Sequence, residues 1–279
     1  MSPTWEAGTY PAPVRVGPMG WVRVVLRGLA LLSVLGAGVL TTLVLRPLEA
    51  RLHGLYRPWT QHITVWVCRS AFVILAMRHS IEGRPTTQPG AVVANHSSWL
   101  DIFTLNAAKR LYFVSKSEVA GWPGIGFLAR LTGTVFINRD PREARAQQHV
   151  FRDRLLAGHK LLFFPEGTST DGLRVLPFKS TLFEAFRTEA LRDRLSLQPV
   201  SVIYTAPARA QDVRFYGWWG DMDLAPHLLQ VLAQSPQGAV RVVYHEPVRV
   251  ADFSDRKTLA RALEARVRAG MPADRQLDV

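Results

Sequence analysis

Ala91-Val-Val-Ala-Asn-His-Ser-Ser-Trp-Leu-Asp101 is the stretch on which the reading of this chain turns. Val92 and Val93 are β-branched and favour a buried strand, and Asn95 to Ser98 offer capping groups for a helix starting beneath Trp99. His96 then stands at the strand's exit and Asp101 in the first turn of the helix. A neutral imidazole there can take a proton from a hydroxyl. A carboxylate on its other ring nitrogen would fix the tautomer and stabilise the imidazolium. The same residues also suit a plain helix start, with His96 capping and Asp101 complementing the helix dipole. The stretch alone leaves both readings open.

Upstream, Met1 to Gly20 is rich in Pro and Gly without an apolar period, and is expected to be a flexible tail. From Gly28 to Leu45 runs an uncharged, Leu- and Val-rich segment flanked by Arg23, Arg27, Arg46 and Arg51. A helix of about 18 to 20 residues is long enough to cross the hydrocarbon layer, although one near that limit can also lie in one leaflet. A second apolar segment, at about His62 to Met77, is interrupted by Arg69 and bracketed by Arg57, Trp59 and Arg78. It is expected to be an interfacial partner helix, with an ordinary buried helix as the alternative. The expected organisation is a tail over 1–20, membrane-associated helices over 21–82 and an α/β domain over 83–279. Pro85 and Pro89 are taken to mark the boundary between the last two.

Downstream, apolar β-rich runs at Ala91 to Ala94, Leu111 to Ser115, Thr134 to Asn138, Lys160 to Phe164, Gln198 to Tyr204 and Ala239 to His245 alternate with helical stretches. The helices are expected at Trp99 to Ala108, Trp122 to Leu131, Pro141 to Ala157, Ser180 to Leu195, Ala225 to Ala233 and Arg256 to Ala269. Ser254 is expected to cap the last. This alternation predicts an α/β fold with a mixed, largely parallel central sheet flanked by helices, preceded by an N-terminal membrane-associated helical hairpin. The site should gather at strand ends.

The 279 residues suffice for one sizeable domain plus an appendage. A net charge of +12 suits an anionic partner: nucleic acid, phospholipid headgroups or an acidic carrier protein. Scattered basic residues and the lack of zinc-finger or RRM-type signatures make nucleic acid the weakest of these, and no nucleic-acid partner is expected. The single cysteine, Cys68, excludes an intramolecular disulfide framework and a cysteine-based zinc site.

Further stretches leave strands as His96 does. Gly133-Thr-Val-Phe-Ile-Asn-Arg139 places a guanidinium at a strand exit, where it can hold an anion bidentately or simply be solvated. In Leu161-Leu-Phe-Phe-Pro-Glu-Gly-Thr-Ser169, Pro165 ends a strand, Glu166 stands at its tip and Gly167 allows close backbone approach. Lys179 adds a cation ahead of a helix. Pro199 lies near the start of a strand and suits an edge or a strand opening.

These blocks resemble the glycerolipid acyltransferases related to lysophosphatidic acid acyltransferase. Asn95-His-Ser-Ser-Trp-Leu-Asp101 is similar to that family's His-x4-Asp block, and the blocks ending at Arg139, at Glu166-Gly167 and at Pro199 follow in the family's order across roughly residues 90 to 205. The resemblance implies transfer of a fatty acyl group from an acyl carrier protein or coenzyme A thioester to a lysolipid hydroxyl. It implies no metal, no bound cofactor and no covalent acyl-enzyme. It makes His96 the base and Asp101 its orienting partner. Arg139, Glu166, Gly167, Thr168 and Lys179 become acceptor-binding elements, and Pro199 a structural one. It also implies a bacterial inner-membrane location with the catalytic domain on the cytoplasmic face.

One departure bears on the acceptor. Phosphate-accepting members usually carry Arg where Ser169 stands, and the stretch from Glu166 to Leu182, with Trp219-Gly-Asp-Met-Asp223, looks more like the branch that acylates lyso-ornithine lipid. Arg174 or Lys179 can stand in for that cation. Trp218 and Trp219 suit interface anchors or a buried aromatic pair. Ser97 and Ser98 lack the Gly-x-Ser-x-Gly setting of a hydrolase nucleophile. A lipid hydrolase and a lipid-binding protein without turnover remain the rival readings.

Overall fold

The computed structural model of the protein describes residue 5 and residues 10–12, 15–138 and 144–277. It opens with the long helix α1 (Pro18–His53) and the shorter α2 (Thr60–Leu75), after which strands and helices alternate. The strands are β1 (Arg78–Glu82), β2 (Gly90–Ala94), β3 (Tyr112–Lys116), β4 (Val135–Ile137), β5 (Leu161–Phe163), β6 (Ser196–Thr205), β7 (Ala239–Tyr244) and β8 (Val248–Arg249). They form one sheet in the order β1-β7-β6-β2-β5-β3-β4, with β8 pairing β6 beside that path. From β6 through β2, β5 and β3 to β4 all pairs are parallel. β7 and β8 run antiparallel to β6, and β1 is parallel to β7. The fold is therefore α/β with a mixed, mostly parallel sheet flanked by helices.

The apolar runs of β2 and β6 are continuous because both faces of the sheet are covered. Ala91 and Val93 point into a core with Phe151 and Leu155 of α5 (Ala144–Leu156) and Leu259, Leu263 and Val267 of α8 (Arg256–Ala269). Val92 and Ala94 point into the opposite core, built from Phe72 and Leu75 of α2, Leu105 of α3 (Asp101–Ala108) and Val231 of α7 (Leu224–Ala233). Burying the four β2 side chains, each 0 % exposed, fixes the register and height of whatever follows Ala94.

Several expectations are revised. The tail does not extend to Gly20: α1 begins at Pro18, and Trp5 and Tyr10 pack against Trp219. The apolar helix is longer than Gly28 to Leu45 because Arg23 and Arg27, expected to flank it, lie within it and donate to the last carbonyls of α7 and to Gln234. The stretch 21–82 is not all hairpin, since β1 is a strand of the sheet and α2 buries Val65, Cys68, Ala71, Phe72 and Leu75 against the domain. Thr60 at the start of α2 is held by Glu49 of α1, whose carboxylate accepts from the Trp59 and Thr60 nitrogens and the Thr60 hydroxyl. The helix foreseen over Ser180 to Leu195 is a 3-10 turn (Ser180–Phe186) and a single turn, α6 (Glu189–Arg192). There Phe183 and Phe186 are pinned in the core, while Arg187 reaches the carbonyls of Phe253 and Ser254. Asp255, not Ser254, caps α8, with Thr258 completing a capping box. The expected helix start at Asp140 and Pro141 lies outside the described residues.

Pro199 lies near the opening of β6, a central strand, and not at an edge of the sheet. Its carbonyl accepts from His245 on the side where β8 has stopped pairing, at Leu197, and β7 begins, at Val200. The N–H that proline lacks falls in that gap, so no ladder bond is lost.

Candidate active site

The site forms where β2 and β5 end side by side, at the carboxyl edge of the parallel strands. Asn95 does not cap α3. Its amide reaches across to β6, donating to the Val202 carbonyl at 2.9 Å and accepting from the Val202 nitrogen at 2.7 Å. That clamp holds the chain at the mouth of β2, and the turn to α3 follows.

Within the turn, Asp101 folds back over the residues before it. Its Oδ2 accepts from the backbone nitrogens of Ser97 (2.9 Å) and Ser98 (3.1 Å) and lies 2.7 Å from His96 Nδ1. The carboxylate is 0 % exposed and sits at the N-terminus of α3, where N–H groups and the helix dipole offset its charge. With Nδ1–H committed to Asp101, the tautomer leaves Nε2 bearing a lone pair. The His96 ring stacks on Phe164, with centroids 4.0 Å apart and planes 10° apart, and its side chain is 22 % exposed. The His96–Asp101 relationship read from the sequence is thus present as a hydrogen bond, while Asp101 also complements the dipole of α3.

Glu166 departs from the acceptor-binding role. It is 1 % exposed, with Oε1 accepting from the His96 backbone nitrogen at 2.6 Å and Oε2 from the Leu176 nitrogen at 2.7 Å. Burial raises its pKa to about 8 against the pull of those backbone donors, with the nearby Asp101 charge pushing the same way as burial. A carboxyl engaged this way holds the loop carrying His96 and has no oxygen turned to a ligand. The turn that follows is completed by Gly167 at φ +74°, where a Cβ would stand 2.6 Å from Lys179 Nζ. Lys179 therefore lies over the Glu166–Gly167 turn, and its backbone nitrogen donates to Pro165. Thr168 is half-buried in the same turn. Arg139 lies outside the described residues.

Arg174, the other stand-in cation, pairs with buried Asp171 at 3.3 Å and rests over the Trp5 ring. Trp219 is buried beneath Trp5, Tyr10 and Arg214 and is no interface anchor, while the Trp218 backbone nitrogen donates to the Ser97 carbonyl. Behind the site, the Trp99 indole N–H donates to His227 Nδ1 at 2.9 Å, and His227 Nε2 faces the Phe215 carbonyl at 3.2 Å. Burial lowers the His227 pKa to about 4, so the ring is neutral with its proton on Nε2.

Sequence reasoning missed Tyr204. Its hydroxyl donates to Oδ1 of Asp101 at 2.8 Å. No motif marks it; its position as the last inward residue of a strand ending beside the site was the available signal.

A base with a fixed tautomer, an orienting carboxylate and no serine in a nucleophile setting can deprotonate a substrate hydroxyl for attack on an already activated acyl group. Comparison with known proteins agrees. Residues 77–203 match the family model described as Acyltransferase. The chain is 58 % identical over 270 residues to a lyso-ornithine lipid O-acyltransferase of Rhodobacter capsulatus, covering 96 % of this chain and 97 % of that one. It is 30 % identical to a 1-acyl-sn-glycerol-3-phosphate acyltransferase of Neisseria meningitidis, over 74 % of this chain and 80 % of the relative. In fold it is similar to the crystal structure of the 1-acyl-sn-glycerophosphate (LPA) acyltransferase PlsC of Thermotoga maritima. That match has a TM-score of 0.59 at 24 % identity and covers 90 % of this chain and 92 % of the other. The geometry at His96 and these likenesses lead to one conclusion, that the chain belongs to the acyltransferase family and is an acyltransferase.

Proposed function

We propose that the chain acylates the free hydroxyl of lyso-ornithine lipid, using an acyl carrier protein or coenzyme A thioester as donor. The observation that carries the reaction is the His96–Asp101 hydrogen bond, which leaves Nε2 as the base. As the acceptor oxygen attacks the thioester carbonyl, Nε2 takes its proton and Asp101 holds the imidazolium. When the tetrahedral intermediate collapses, the C–S bond breaks and the imidazolium returns the proton to the departing thiolate. The acceptor is supported by Ser169, where the resemblance to phosphate-accepting acyltransferases leads one to expect Arg, and by the 58 % identity to a protein of that name.

The membrane supplies the acceptor. α1 is 36 residues long, and its most apolar window has mean hydropathy 2.2 with 11 % of that window buried, so by length and composition it can cross a bilayer. Yet the chain is held to the α/β domain on both sides of the helix, through Arg23 and Arg27 on α7 and, just past its C-terminal end, through the Leu55 carbonyl at 2.7 Å from His159 Nε2 and Arg57 donating to the Leu131 carbonyl. That favours a hairpin lying in one leaflet, with exposed Leu26, Leu29, Leu40 and Val44 in the acyl region. We place it on the cytoplasmic face of a bacterial inner membrane, where acyl thioesters are found. Lyso-ornithine lipid and lysophosphatidate offered side by side, each with both donors, test the acceptor and the donor together. Preferred acylation of lysophosphatidate would overturn the acceptor assignment.

A further inference from the structure

Tyr204 reaches the site from β6, a strand that carries none of the residues assigned to catalysis. Its phenol has one proton and an ionised carboxylate can only accept, so the 2.8 Å contact has Tyr204 donating to Oδ1 of Asp101. Thr104, on the inner face of α3, lies 2.9 Å from the same phenol oxygen and therefore donates to it. A directed chain results, from Thr104 to Tyr204 to Asp101, meeting the His96 Nδ1–H on the far side of the carboxylate. All of it is buried: Asp101 and Thr104 are 0 % exposed and Tyr204 is 7 % exposed.

The two oxygens of Asp101 are thereby made unequal. Oδ2 collects the His96 ring and two backbone donors, while Oδ1 has Tyr204. Without that phenol, Oδ1 would be a buried acceptor with no donor, a costly state that rotation of the carboxylate would relieve at the expense of the His96 contact. We propose that Tyr204 is a positioning residue of the acyl transfer, setting the rotation of the Asp101 carboxylate and so the orientation of His96. The inference rests on the acyltransfer reading of the same site.

Among the described residues, four other ionisable groups face the chain. Glu166 faces Asp101 from the end of β5, His96 faces it from the exit of β2, the Tyr216 ring lies 5.7 Å from that of Tyr204, and His79 Nε2 of β1 lies 3.0 Å from the Thr104 carbonyl. Burial pushes the Tyr204 hydroxyl well above its ordinary titration range, with the Asp101 charge adding to the effect, so it remains a donor throughout the working range of the enzyme.

The test compares the full chain in detergent with Tyr204→Phe and Thr104→Val. For Tyr204→Phe, kcat should fall about tenfold with KM for the lysolipid within about twofold, the loss of one charge-assisted hydrogen bond acting through the base. The acidic limb of kcat/KM should move to higher pH, because the uncompensated oxygen leaves more negative charge facing the imidazolium. The downfield resonance of the His96 Nδ1 proton should move as well, a readout that needs no substrate. Thr104→Val keeps the phenol but removes its donor, so all three effects should appear in the same direction and smaller; it also carries the test if Tyr204→Phe does not fold. Lowered melting temperatures with the pH limb and the Nδ1 resonance unmoved would overturn the proposal. Absence of acyl transfer by the unmodified chain, with the resonance still responding to Tyr204→Phe, would instead overturn the acyltransfer reading and leave the positioning intact.

Discussion

The backbone nitrogen of His96 lies 2.6 Å from Oε1 of Glu166, so the proposed base hangs from a buried carboxyl just beyond the end of the neighbouring strand β5. Glu166→Gln keeps the shape but offers one acceptor where two backbone donors converge, and turns an amide N–H₂ toward the other. A loss of about 1–3 kcal/mol in folding free energy is expected, read as a lowered denaturation midpoint. It should come with a fall in kcat and little change in lysolipid KM, because Glu166 touches the loop of the base and no ligand. A raised KM at constant kcat would return Glu166 to acceptor binding.

The same carboxyl makes stability fall on the alkaline side. Its ordinary value of 4.5 is raised to about 8 in the fold, so between those pH values the folded chain keeps a proton that the unfolded chain has released. The contribution is complete below about 4.5 and is lost as pH rises through about 8. Melting curves of the unmodified protein and Glu166→Gln between pH 5 and 8 should show the unmodified protein's margin over the variant shrinking with pH. A margin constant across that range would contradict the raised value.

His227 and His159 act on the acid side. Burial holds both at about 4 against an ordinary 6.5, with the Arg154 charge adding to burial at His159. Their contribution is present above pH 6.5 and is lost as pH falls through about 4. Protonating His227 would remove the lone pair that accepts the Trp99 indole N–H. His227→Gln should therefore flatten the acid limb of the stability profile between those values, and an unchanged limb would count against it.

The hairpin is packed through Gly38. A Cβ there would stand 2.5 Å from Val67 Cγ2 of α2, inside contact distance. Gly38→Leu should lower stability by about 1–3 kcal/mol by forcing α1 from α2, measured by thermal denaturation in detergent. Depth-sensitive labels on exposed Leu29 and Val44 should report similar shallow depths in one leaflet. Labels at opposite surfaces would show that α1 crosses.

How much of this was legible in the sequence varied with what each residue type reports. The β-branched runs marked where the inner strands fall along the chain, though not their order in the sheet, because a strand covered on both faces must be apolar throughout. β1 was invisible: Arg78-His-Ser-Ile-Glu82 is a sheet-edge strand with partly exposed residues, and it reads like the end of a basic loop. Asp101 was legible because a carboxylate in the first helical turn has few roles. The direction of the Glu166 side chain was not legible, since nothing local says whether a carboxylate at a strand tip turns outward or back. Its direction is set by the nitrogens of His96 and Leu176, one 70 residues before it and the other 10 after. Tyr204 was lost among the apolar residues of its strand, since only the packing of β6 against β2 brings the phenol to Asp101.

In the proposed reaction the Nε2 lone pair of His96 takes the acceptor's proton. The measurement is transfer of a labelled acyl group from a thioester donor to lyso-ornithine lipid by the full chain, beside His96→Ala with matching melting temperature. Label on the lysolipid hydroxyl with the unmodified chain, reduced on the order of 10³-fold or more in the variant, is the expected result. Full transfer by folded His96→Ala would contradict it.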